Sequence, residues 1–495
     1  MSTGLLLLLL ILSTQATALS LAISQTATNA CVQYDEKQKL IHVYCKSIHL
    51  TDIYKQLNNS SILHVENEND MNYVASNSKI WVLNAGITIH KEGGLIIDSS
   101  DTAWLKMVAT PTIQHGNQPV PIVQENDTDT YDEEDIGTIA STSNHIGGQI
   151  KNDSNTEVNN NRDRQPILVS KNNGNNPNGI HVQGSLKIDS VKITSWDPKK
   201  NDVIGFAFGK RSGEEHTKSD YDTAEPRGFI RVSKDASGTT DITNSELSYL
   251  GYSCSRCSGL SYYGGQGSVL KGNDIHHLLK GYYSKSMGNM TIEDNIVHDN
   301  YLYGIDPHTG SHDISIVRNT VYNNNASGII CSKHCYNLLI EGNRVYNNTG
   351  VGRGIAFSIN TTNSIARYND VSHQSRCISF NRNSNFNDIY NNTVSNCING
   401  FYLSNTTNNY IHDNHLKNVT HGIVMKDINN KIKNNTVNQA KNGIVFEFET
   451  AANKTQTTDV NYVPFDGNYK QDILDIMAKD NHFSETANLT TIKIR

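Results

Sequence analysis

The segment Tyr303-Gly-Ile-Asp306-Pro-His308-Thr-Gly-Ser-His312 concentrates groups that could move a proton. Asp306 and His308 stand two residues apart, so on a strand they share one face, and on an outward face they meet solvent side by side. A carboxylate beside an imidazole orients the ring and tunes its pKa towards neutrality, which suits a general base. The proline removes a backbone donor that a ladder would use, a loss that asks for compensation. Counting from the glycine that opens each repeat unit, Lys285 takes the place of His308 one unit earlier, and Lys333 falls one place later in the next unit. A cation one rung away on each side builds a local positive cleft in a chain whose net charge is −7. Arg353 and Arg382, on following units, are candidates for further carboxylates of a polymer. Lys426 occupies the same column and reads as a solvated lysine, and His276-His277 reads as an ordinary corner.

The units that must position these groups are visible as a repeat. Gly259, Gly281, Gly304, Gly328, Gly354, Cys377, Gly400, Gly422 and Gly443 each open a short apolar strand, at spacings of 21 to 26 residues. An independent column, Asn273, Asn295, Asn319, Asn343, Asn369, Asn392, Asn414 and Asn435, keeps nearly the same steps. A unit of this length, with short β-rich segments between Asn and Gly corners, cannot bury its own apolar face and must stack. Stacked coils pair at about 4.8 Å, inward Ile, Val and Leu fill the lumen, and alternate residues face out. The sequence therefore predicts an all-β chain, a right-handed parallel β-helix of roughly 23-residue coils, right-handed by the general preference of parallel crossovers.

This helix is expected over residues 76–449, with a flexible insert at about 111–179 that contains the acidic run Tyr131-Asp-Glu-Glu-Asp135. Residues 19–75 are expected to form an N-terminal cap, and 450–495 a capping tail with a short helix within Tyr469 to Lys479. Leu5 to Leu12 is too short to span a bilayer and, followed by Ala16-Thr17-Ala18, reads as a signal peptide over 1–18. Export permits disulfides among the eight cysteines; Cys254/Cys257 and Cys331/Cys335 resemble half-sites for zinc, but no further ligands complete the spacing, so no metal is expected. The Asn- and Gly-rich composition disfavours a helix bundle, and 42 basic against 49 acidic residues argue against nucleic acid as a partner.

Tyr303-Gly-Ile-Asp306-Pro-His308, followed by Gly328-Ile-Ile-Cys-Ser-Lys333, resembles the mannuronan C5-epimerases, which convert D-mannuronate to L-guluronate within alginate. Trp81-Val-Leu-Asn, Asp101-Thr-Ala-Trp104, Ile193-Thr-Ser-Trp196 and the stretch Asn244 to Tyr252 share the likeness, which runs from about Trp81 to Arg382. The resemblance implies that His308 transfers a proton at C5, that Asp306 supports it and contacts substrate, and that Tyr303 acts on the opposite sugar face. It further implies Lys333 and Lys285 as partners of the substrate carboxylate. Thr309 departs from the acidic residue often found after the histidine in that family. The partner so implied is an anionic polysaccharide, polymannuronate or alginate, met by a secreted or periplasmic monomer without a membrane span.

Abstracting H5, which lies α to a carboxylate, puts a second negative charge on an anion, so cations at the carboxylate are the largest aid. Acid and base on opposite faces then suffice, and no cofactor is needed. A polyuronate lyase shares the first step and expels the 4-O substituent instead; a noncatalytic polysaccharide-binding β-helix is the remaining alternative.

Overall fold

In the computed structural model the described residues are 30–66, 78–109, 179–205, 226–252, 256–349, 352–427, 429–448 and 475–494. The expected signal peptide and the acidic insert lie outside them. Each coil carries three short strands, such as Ile305–His308, Ser315–Val317 and Thr320–Tyr322, and equivalent strands of successive coils pair in parallel. Ile305, Ile316 and Val321, one from each strand of that coil, are fully buried and join one continuous core along the lumen. The fold is the right-handed parallel β-helix that the repeat predicts.

The asparagine column is the device that turns the corner. A residue with positive φ precedes each buried Asn: Asp294 (56°), Arg318 (54°), Gly342 (64°), Tyr368 (56°) and Asn391 (53°). That left-handed residue lets the chain reverse within a short corner, and the Asn that follows satisfies the backbone groups it exposes. Asn319 Nδ2 donates to Ile292 O at 2.9 Å and to Asn343 Oδ1 at 3.0 Å, and Asn343 repeats the pattern onto Ile316 O and Asn369 Oδ1. Shorter ladders, Asn300–Asn324–Asn348 and Asn387–Asn409–Asn430, line other corners.

At the N-terminal end a helix, Leu50–Leu57, sets Leu50 and Ile53 against the lumen, and a disulfide joins Cys31 to Cys45 beside it. At the other end Met477, in a helical turn at 475–479, reaches the core, and the strands His482–Ser484 and Asn488–Ile494 extend the ladder of Thr436–Phe448 by a further coil. Cys331 and Cys335 bond to each other, as do Cys377 and Cys397, so the pair read as a zinc half-site is a disulfide. Among the described residues no helix is long and apolar enough to cross a membrane.

Candidate active site

The strand Ile305–His308 stacks on Lys280–Lys285 with Tyr282 opposite Ile305, Tyr283 opposite Asp306 and Lys285 opposite His308. Ile305 and Tyr282 point into the lumen, so Tyr283, Asp306, Lys285 and His308 lie on the outward face. The pairing of Lys285 with His308 is the one that counting from Gly281 and Gly304 predicts. Pro307 sits on the inward side, where its carbonyl lies 3.4 Å from Sγ of the disulfide-bonded Cys335.

Asp306 departs from the expectation of a solvent-facing carboxylate, because it is completely buried. The Lys280 ammonium reaches its Oδ2 at 3.1 Å and Ser332 Oγ donates to its Oδ1 at 2.7 Å. Burial pushes the Asp306 carboxyl above its ordinary pKa, against the opposing pull of Lys280 and Ser332. The carboxylate thus joins Lys280 of the preceding coil to Ser332 of the next. The Lys280 ammonium also lies 4.2 Å from the Tyr283 ring centre and 5.3 Å from that of Tyr303, and Tyr283 packs at 5.4 Å from the His308 ring. One cation thus ties together Asp306, Tyr283 and Tyr303, the last packed among Leu279, Leu302, Ala326, Ile330 and Ala356.

His308 is half-buried, with Nδ1 2.5 Å from Thr309 Oγ1, and its carbonyl accepts from Ser311 Oγ at 2.7 Å. The residue that departs from the family pattern therefore orients the imidazole. Lys333 stands where counting five from Gly328 places it. Pairing of Ile305 with Ile329, carried along both strands, sets Ser332 beside His308 and Lys333 beside Thr309, at the strand's end. Lys333 is near the imidazole but not in its column. Arg353 is in register with Arg376 on the next coil, whereas Arg382 lies past the end of the strand Arg376–Asn381, exposed in a left-handed corner with φ of 48°. Arg376, not Arg382, continues the column of Arg353. The His276-His277 corner stacks instead into a separate ladder with His298, 5.0 Å away, and Tyr322 beyond it.

Sequence reasoning missed Lys280, Tyr283 and Ser332. Lys280 precedes Gly281 as Tyr303 precedes Gly304, so the same glycine column would have flagged it. Tyr283 was hidden in an aromatic pair, and Ser332 in a strand whose lysine drew attention. Neither signal separates an outward residue from an inward one without the register.

The right handed beta helix region family matches residues 230–394, and the periplasmic copper-binding protein (NosD) family matches residues 355–463. No curated protein matches the chain. Among solved structures the chain is similar to the periplasmic alginate epimerase AlgG, at 17% identity and a TM-score of 0.55, over 92% of this chain and 85% of that one. A single-substitution variant of that protein matches over the same shares, at 16% identity and a TM-score of 0.54. The A-module of the Azotobacter vinelandii mannuronan C-5 epimerase AlgE4 is more distant, at 14% identity and a TM-score of 0.34 over 54% of this chain and 76% of that one. At such identities what the chain shares with AlgG is its fold, a right-handed parallel β-helix.

Proposed function

We propose that the chain epimerises D-mannuronate to L-guluronate within a polyuronate such as alginate, by removing the proton at C5 and returning one to the opposite face. The observation that carries this reading is the cluster on the outward face of adjacent coils: Lys285 in register with His308, and Lys280 between Tyr283, Tyr303 and the buried Asp306. The similarity to a periplasmic alginate epimerase supports it at the level of the fold.

In this reading His308 takes H5 through Nε2, with Nδ1 held by Thr309. The electron pair left on C5 spreads into the carboxylate, where Lys285 and Lys333 hold the added charge; fixed cations of this kind stabilise a developing anion without reorganising. Tyr303 gives its phenolic proton to the other face of C5, and its phenolate is stabilised by the neighbouring Lys280 ammonium until solvent reprotonates it. Lys280 in turn is held by Asp306, which makes Asp306 a positioning residue. Such a chain would act outside the cytoplasm, where its substrate and its disulfides belong.

The test is incubation of the purified protein with polymannuronate in D₂O. Guluronate carrying deuterium at C5, read by NMR, is the expected product, and His308→Ala should abolish it while leaving the circular dichroism spectrum unchanged. Unsaturated ends absorbing in the ultraviolet would replace the proposal with a lyase. Full turnover by His308→Ala would remove the imidazole from the mechanism, and binding with neither product would leave a carbohydrate-binding β-helix.

A further inference from the structure

The strand Ile329–Lys333, which brings Ser332 and Lys333 to the site, is weakly tied to the strand it must serve. Ile305–His308 keeps register with Lys280–Lys285 over four pairs, and Ile329–Lys333 keeps it with Arg353–Ile359 over four, but between the two the register holds only at Ile305 and Ile329. Pro307 has no N–H to offer there. The backbones meet again past the strand's end, where Gly310 N donates to Lys333 O at 3.2 Å. A second observation lies beneath this gap. The Cys331–Cys335 disulfide, its residues 1% and 0% exposed, closes the corner that contains Ser332, Lys333 and the left-handed His334, with φ of 53°. Cys335 Sγ lies 3.4 Å from Pro307 O. Neighbouring coils hold the same corner by hydroxyls: Ser311 and Thr361 stand where Cys335 does, one residue before the bridged His312 and Thr362. Ser311 Oγ donates to His308 O at 2.7 Å, and one coil beyond Thr361, Ser384 Oγ accepts from Thr361 N and donates to Ser358 O. A disulfide sulfur has no proton to donate, so in the Lys333 coil a covalent bond takes the place of that hydroxyl.

We infer that the Cys331–Cys335 disulfide is a positioning element for the reaction: it fixes Ser332 against the Asp306 carboxylate and Lys333 beside Thr309, where the proline-bearing strand cannot do so by ladder pairing. The inference rests on the polyuronate reading of the His308 cluster. A cation stabilises a developing charge best when it is in place before the charge appears. With the corner opened, Lys333 keeps its charge but loses its fixed place, and Ser332 no longer holds the Asp306–Lys280 pair that faces Tyr303. Both sulfurs lie in the lumen, so the bond acts on the sugar only through the residues it encloses.

Cys331→Ala/Cys335→Ser opens the corner and returns the hydroxyl that Ser311 and Ser384 supply in their own coils. Cys377→Ala/Cys397→Ala is the control, because that bridge spans a separation of 20 against 4 and its loss frees more chain entropy in the unfolded state. Melting temperatures and initial rates on polymannuronate are measured for both, and for Lys333→Met made in the wild-type and in the opened protein. Opening the corner should lower kcat/KM about tenfold with a small fall in Tm, whereas the control should lose more Tm and keep kcat/KM within about twofold. Lys333→Met should then cost less in the opened protein than in the wild type, since the lysine has already lost its place. Unchanged kcat/KM on opening the corner, or effects of the two changes that simply multiply, would overturn the inference. If the double variant does not fold, reduction of the folded wild-type protein, with the opened thiols located by alkylation and mass spectrometry, gives the same comparison. If the wild-type protein binds polymannuronate without turning it over, the epimerase reading fails alone, and the same cycle is read in calorimetric Kd. Absence of binding by the wild-type protein overturns both.

Discussion

Replacing Lys280 by Met leaves Asp306 fully buried without its cation, 3.1 Å of ion pair having been removed from a site where the lysine side chain is 7% exposed and the aspartate 0%. Breaking a buried pair from one side costs about 3–5 kcal/mol, because the remaining charge is unpaired. The reverse change, Asp306→Asn, should cost only about 1–2 kcal/mol, because Lys280 keeps the Tyr283 and Tyr303 rings as partners. In Lys280→Met/Asp306→Asn the unpaired charge is gone, so the double variant should be more stable than Lys280→Met alone. Such coupling, about 2 kcal/mol or more, is the signature of a direct interaction. The pH dependence follows from the direction of the shift. Asp306 has its folded pKa raised above the ordinary 3.8, so the folded state binds the proton more tightly. Its contribution to stability therefore falls as pH rises from 3.8 through the folded pKa, and losing Lys280 moves the end of that window upward. The penalty of Lys280→Met should be smaller at pH 4.5 than at pH 7. Urea midpoints of the four proteins at both pH values provide the measurement. Additive effects, or a penalty that ignores pH, would refute the ion pair as the element that holds Lys280 in place.

Asn343→Leu removes four buried side-chain hydrogen bonds, to Ile316 O and Asn369 Oδ1 and from the backbone and side-chain nitrogens of Asn319, and should lower stability by about 4 kcal/mol in urea unfolding. A loss below about 1 kcal/mol would mean the ladder is decorative. Thr309→Val deletes the partner of His308 Nδ1 and should lower kcat roughly tenfold, with a shifted pH–rate profile and little change in urea midpoint; an unaltered profile would count against the orienting role. Burial alone would lower the pKa of His298, but its hydrogen bonds to Asp274 and Asp299 outweigh that and raise it. Its stabilisation is present below 6.5 and is lost as pH rises through the folded value, and Asp299→Asn should move the imidazole titration in an NMR experiment downward.

The repeat was legible before any coordinates because a solenoid writes its period into the chain: glycine and asparagine recur at 21 to 26 residues, and each Asn proves to be the hydrogen-bonding hub of a corner. The Asp-Pro-His strand and its neighbour Lys285 were legible for the same reason, since one count from Gly281 and Gly304 serves both coils. The same count places Lys333 one position past the His308 column and Arg376 in register with Arg353, each arginine preceding the residue that opens its coil.

Period, corner chemistry and the location of the polar strand are properties of the linear sequence, because each depends on residues within one coil or on a repeat that carries its own ruler. Burial is not such a property. Asp306 alternates outward with His308, yet it is enclosed because Lys280 from the preceding coil and Ser332 from the next close over it. Only stacking brings those two residues to the carboxylate, and that enclosure is what sets it against the Lys280 ammonium.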